Sequence, residues 1–224
     1  MLHQGGENLD ANATTIEPEF DFVGGHLCLD FANTVDGFPR DSLSREHLTS
    51  YPHLVAWSQQ ANLTSESEAE VLLRKAESAQ VEAAAILERA RALRKAIYGI
   101  FAAVAQGTQP TGSDLDLLNR ELERGMAGAR VMVTTEGFGW EWRKEEGAFD
   151  QMLAPVARST AMLLTSAERQ LVRQCANEHC RWLFVDTTKN HRRQWCRTTR
   201  CGNLMRVRKY RERQRSQEKS ANDL

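Results

Sequence analysis

Apolar residues along this chain change their spacing from segment to segment, and each spacing predicts an element. The run FDFVGGHLCLDFANTV places Phe20 and Phe22 before Gly24-Gly25 and Leu27, Leu29 and Phe31 after it, at spacing two. That alternation predicts a short hairpin or strand, with Cys28 as a small buried residue inside the patch. Beyond Pro39 the period turns helical. Pro52 can open a helix carrying Leu54, Val55 and Trp57, and Ser65 followed by Glu66, Glu68 and Glu70 suits the start of the next. The strongest pattern covers about 79–105, where Leu93, Ile97, Ile100, Phe101 and Val104 form a broad core-facing stripe ended by Gly107 and Pro110. Ser113 is expected to cap a shorter helix bearing Leu115, Leu118 and Leu122.

The period then switches to two. Val131, Val133, Trp140 and Trp142 flank a glycine-containing turn and predict a β-hairpin. From Phe149 to Leu171 a helical period returns through Met152, Val156, Leu163 and Leu164, with Pro155 starting or kinking the helix. A helix of that length is expected to act as a semi-rigid arm leading to the C-terminal segment. There RWLFVD predicts a short strand, and Leu204, Val207 and Tyr210 recur every three residues in a helix whose apolar side is expected to turn back on the segment before it. Asn203 is read as that helix's N-cap.

These elements give an α+β fold: a mainly helical N-terminal domain with short strands or hairpins over 20–171, and a small four-cysteine module over 172–217 ending in a basic helix. Residues 1–19 are polar and aperiodic and are expected to be a disordered tail, and 218–224 a second tail. Charge sharpens the division. The formal net charge of −1 conceals a C-terminal stretch, Arg173 to Lys219, at +10, with 14 Lys and Arg against 4 Asp and Glu, and a preceding body at −10. Such asymmetry points to a nucleic-acid-binding end on an acidic body. No apolar run approaches the roughly 20 residues of a membrane span, and no leader-like segment opens the sequence, so the expected location is the cytoplasm.

Four of the five cysteines lie in the basic stretch, as Cys175-x4-Cys180 and Cys196-x4-Cys201. Two equally spaced thiol pairs can close a sulfur tetrahedron around one structural Zn2+, and a reducing compartment favours that over two disulfides. His179, beside Cys180, is the alternative fourth ligand. A segment this rich in arginine has little apolar core of its own, so the metal would supply folding energy. Trp195 is expected to pack on the metal core. Arg192 and Arg193 in the loop, and Arg206, Arg208, Lys209, Arg211 and Arg213 on the helix, are the candidate DNA contacts, with RNA as the alternative partner. Oxidation that ejects zinc would instead make the module a thiol redox switch.

The body carries no phosphate-binding glycine loop, no HExxH and no GxSxG, so an enzyme is not expected. Asn33, Trp57 and Arg94 are the polar or aromatic positions set among apolar ones, and together would suit a small-molecule effector. The bland reading of the same residues is Arg94 paired with a nearby Glu and Asn33 capping a turn.

Cys175-x4-Cys180, WLFVDTTKN, RRQWC and Cys201-Gly202-Asn203 followed by a basic helix resemble the CGNR zinc-finger family. HLCLDFANTV at 26–35, Tyr51 to Trp57 and LRKAIYGIFAAVAQG at 93–107 resemble the ABATE domain that precedes the finger in stress-induced transcription regulators of bacteria. The resemblance covers about 20–215. It implies zinc on the four cysteines and a ligand pocket near Asn33 and Arg94. The expected partners of the chain are DNA, a small-molecule effector and a second copy in a homodimer. Leu204 stands where the family motif has Arg, so a nucleic-acid contact made there by relatives is absent or shifted to Arg206.

Overall fold

The computed structural model describes residues 19–37, 45–142 and 148–222. Its longest element is α4, Gln80–Ala105, on which Leu93, Ile97, Ile100 and Phe101 are fully buried, as their spacing predicts. Around it pack α1 (Leu27–Ala32), α2 (Tyr51–Gln60), α3 (Glu66–Ser78), α5 (Gly112–Met126) and α6 (Leu153–Thr165). Helix starts follow local chemistry. Ser50 accepts from the His53 amide with Pro52 in the first turn of α2, and Ser65 and Glu68 exchange hydrogen bonds across the start of α3 in a capping box. For α5 the cap is Thr111, which accepts from the Asp114 amide at 3.2 Å, and Ser113 lies inside the first turn instead.

The expected hairpin near Gly24-Gly25 is not formed. Gly25 does turn the chain, at φ +84°, but Asp30 accepts from the Gly24 amide at 2.7 Å and the chain then enters α1. Five of that helix's six residues are buried, so it lies apolar on nearly every side. An element buried all round carries no helical period, which is why the alternation misleads. Cys28 sits there fully buried, and desolvation pushes its thiol up to about 12.

The other hairpin forms: β1 (Ala129–Thr134) pairs antiparallel with β2 (Gly137–Trp142), with Val131 opposite Trp140 and Val133 opposite Phe138. α6 ends at Thr165 rather than running on, and a 3-10 turn, Ala167–Leu171, leads into β3 (Val172–Gln174). β3 pairs antiparallel with β4 (Leu183–Val185). The arm expected over 155–171 is therefore replaced by a folded corner. Val172, Leu183 and Val185 belong to the same apolar core as α1, α4 and α6, so the C-terminal segment is packed onto the body.

Candidate metal centre and nucleic-acid interface

β3 and β4 frame the first cysteine pair. The Cys175 amide donates to the Trp182 carbonyl at 2.8 Å, extending the ladder by one rung, and the loop between folds on Asn177, whose carbonyl accepts from the Cys180 and Arg181 amides. Arg181, at φ +54°, completes this turn. Of the second pair, Cys196 precedes and Cys201 lies within a wide π-type turn, Thr198–Gly202, that launches α7 (Asn203–Asn222). A Cβ on Gly202 would meet Trp195 at 3.2 Å, so glycine allows the half-buried indole to lie against the turn, as expected for Trp195.

All four sulfurs are buried and lie within 4.8 Å of one another. Cys180 and Cys196 stand 3.6 Å apart, and Cys196 and Cys201 3.7 Å. A regular tetrahedron with Zn–S bonds of roughly 2.3 Å has edges of about 3.8 Å, so the cluster is sized for one Zn2+ and too open for disulfides. Four buried sulfurs this close would repel one another as thiolates, and a divalent ion among them would balance that charge. Asn177, itself buried, points its amide nitrogen at the Cys201 sulfur at 3.5 Å, a contact that orients the ligand. His179 is exposed and outside the cluster, which leaves the four cysteines as the complete ligand set for one structural zinc.

The module is fastened to the body by a dense seam. Asn33 donates from its amide to the Leu183 carbonyl and accepts from the Leu183 amide, both at 2.9 Å, so that one side chain acts as a strand partner for β4. On the same side the Val185 amide donates to the Gly24 carbonyl, and the Trp182 indole donates to the Val35 carbonyl. Tyr98 of α4 donates to the Arg181 carbonyl and accepts from Gln174. Asp21 pairs with both Arg197 at 2.8 Å and Arg200 at 2.9 Å.

The sequence-predicted residues fall into two groups. Arg192 is exposed, as are Arg206, Arg208, Lys209, Arg211 and Arg213 along α7. Arg193 is instead built into the module: it donates to the Trp195 and Cys196 carbonyls and lies over the Phe184 ring, 4.4 Å from its centroid. Leu204 borders a cavity beside Cys180, Cys196 and Cys201 yet stays 45% exposed, and Val207 and Tyr210 are 48% and 64% exposed, because α7 leaves the cluster and packs chiefly on the turn that launches it. Asn203 is the first helical residue rather than the cap, and its side chain donates to the Thr199 carbonyl and accepts from Arg206.

In the body, Trp57 is fully buried between Phe22 and Phe31. Arg94, also buried, makes a two-pronged pair with Glu46 and donates to Thr34. Burial opposes the Glu46 charge, but the Arg94 hydrogen bonds hold its carboxyl below the usual range. Asn33, Trp57 and Arg94 thus brace the body and its seam, and none of them lines the cavity of about 740 Å³ that opens elsewhere beside α5 and α6. Arg94 does pair with a Glu, but the partner is Glu46, 48 positions away in sequence rather than local, and the Asn33 side chain is spent on Leu183 rather than on a turn.

Two organising residues went unread in the sequence. Asp21 is one. Asp186 is the other: fully buried, it accepts from the Thr188 amide and hydroxyl and from the Arg193 amide, which closes the basic loop. Its Asp-Thr-Thr context is an Asx-turn signature that could have marked it.

Among known families, the one described as "Putative stress-induced transcription regulator", ABATE, matches residues 25–167, and the one described as "CGNR zinc finger" matches 172–214. Both are regulatory or zinc-finger families rather than enzyme families. No curated protein matches the chain. No helix among the described residues is long and apolar enough to cross a membrane.

Proposed function

From the premise that the chain belongs to the ABATE family and ends in a CGNR zinc finger, we propose that it is a zinc-dependent, DNA-binding transcription regulator. The observation that carries this reading is α7, which starts at the metal-binding turn and exposes Arg206, Arg208, Lys209, Arg211 and Arg213 to solvent. A helix fixed at one end by a metal cluster and basic on its open faces can lie in a major groove or follow phosphates. Arg192, exposed on the loop beside the cluster, adds a contact from a second element, whereas Arg193 serves by holding that loop. Zinc's part is to hold the sulfurs and so fix where α7 begins. The acidic body then senses a small-molecule or stress signal, and the seam through Asn33 and Asp21 ties its state to the module.

The test is the salt dependence of binding to duplex DNA drawn from the source genome. Changing Arg208 and Arg211 together to Gln should lower the slope of log K against log salt by about 1.8, at roughly 0.9 per phosphate contact. Leu204→Arg, restoring the family's residue on the exposed first turn, should raise it by about 0.9. Slopes unchanged in both variants would remove α7 from the interface.

A further inference from the structure

We propose that Arg197 and Arg200 form a phosphate-binding pair for the nucleic-acid backbone, and that Asp21 occupies this pair until a phosphodiester displaces it. Arg197 immediately precedes the turn that launches α7, and Arg200 lies within it. Each arginine takes one oxygen of the Asp21 carboxylate: Arg197 Nη2 stands 2.8 Å from Oδ1, and Arg200 Nη1 stands 2.9 Å from Oδ2. A phosphodiester carries the same single charge on two unesterified oxygens, so it offers the same fork to the same two donors.

The exchange is open to solvent and has room. The Arg197 and Arg200 side chains are 44% and 60% exposed, and ion pairs reached by water in this way hold weakly. A cleft of about 290 Å³ lies against Asp21, Arg197 and Arg200, and Leu204 in the first turn of α7 lines it too. A nucleic-acid strand passing the start of the basic helix therefore reaches the pair. Arg200 also lies over the Trp182 ring, 5.7 Å from its centroid, a contact that keeps the guanidinium at the cleft without Asp21. The segment carrying Asp21 is tied to the body, with the Phe20 amide donating to Gln60 Oε1 at 3.0 Å and Phe22 stacked on Trp57. Asp21 is thus the body's own hold on the turn, and a change in the body that moves this segment alters what the phosphate competes with.

The pair rests on the reading of the chain as a nucleic-acid-binding regulator, and two probes separate their fates. The first is a short mixed-sequence duplex, titrated by fluorescence anisotropy with the full-length zinc-loaded protein. Changing Arg197 and Arg200 together to Gln should lower the slope of log K against log salt by about 1.8, at roughly 0.9 per phosphate contact. Asp21→Asn should tighten binding about three- to tenfold, and should change nothing once both arginines are Gln. Glu178→Gln, which removes one exposed charge from the same module, should not reproduce that gain. Zinc content and circular dichroism confirm the fold of each variant. A slope unchanged in the folded double variant would overturn the pair and leave the regulator, as would an Asp21→Asn variant that binds no more tightly. The second probe is inorganic tripolyphosphate, titrated calorimetrically, which reads the pair without a duplex. Its affinity should rise in Asp21→Asn and fall in the double variant. That order with no duplex binding sinks the regulator and leaves the pair; its absence overturns the pair.

Discussion

Among the described residues of the body, Trp57, Phe31, Phe101 and Met152 lose all contact with solvent within a large apolar core, whereas four of the six residues of the zinc module's own buried cluster are cysteines. The body can therefore order itself by removing apolar surface from water, at about 25 cal/mol per Å². The module has no such resource, since the helix it displays is exposed and basic along its described length. It relies on a metal and on what it borrows from its neighbour. The borrowing is specific: β4 places Leu183 and Val185 in the body's core while Phe184, between them, faces the sulfurs. One three-residue strand is thus shared between two cores, and the functional end of the protein is only as well placed as that strand.

Removing zinc should break the comparison most visibly. Zinc finger peptides gain roughly 10–16 kcal/mol from the metal, as much as the whole stability of a typical domain. Chelation followed by hydrogen exchange should release the Cys175, Cys180 and Gly202 amides while those of α4 stay protected. Simultaneous loss of both would mean that the body has no independent core.

Within the body, Glu46→Gln leaves the Arg94 charge buried without its partner. A cost of about 3 kcal/mol is expected in urea unfolding, near the low end for a broken buried pair because Glu46 keeps some exposure. Zinc affinity, measured by competition with a chromophoric chelator, should be unmoved.

Asn33→Ala acts on the seam and should touch both regions. Losing its two hydrogen bonds to Leu183 is expected to cost about 1–3 kcal/mol and to speed exchange in β4 with the cysteines unaltered. An effect confined to the body would argue that β4 is held by its apolar contacts alone.

The smallest effect belongs to pH. Burial raises the Asp30 carboxyl from 3.8 to about 6. Between those values the folded state keeps a proton that the unfolded state releases, so this group's stabilising contribution is complete at the acid end and falls as pH rises through about 6. Asp30→Asn should flatten that part of the stability profile, measured by urea titration from pH 4 to 7. A slope unchanged by the substitution would place the proton elsewhere.

How much of this was legible depends on whether a residue's neighbours lie near it in sequence. Helices α2 to α5 and the β1–β2 hairpin were legible because periodicity and turn chemistry are local properties. The zinc ligands were legible for a similar reason, the spacing of each pair being that of one turn. What the sequence concealed is long-range. Asn33 reads as polar amid apolar neighbours, and only the meeting with Leu183, 150 residues away, makes it a clamp. Asp21 among many surface carboxylates is distinguished only by Arg197 and Arg200. Arg193 and Arg192 are indistinguishable neighbours in sequence, yet one is a brace and the other an open charge. Val207 and Tyr210 show the reverse failure, where a real apolar spacing is left largely exposed.

The account turns on whether the metal cluster positions a DNA-reading helix. Its most direct test is a gel-shift titration of the zinc-loaded protein against Cys196→Ser, with metal content measured for both and circular dichroism showing the body's helices intact. The account predicts that the zinc-free variant binds the same duplex at least tenfold more weakly. Equal binding by a variant shown to have lost its zinc would contradict it.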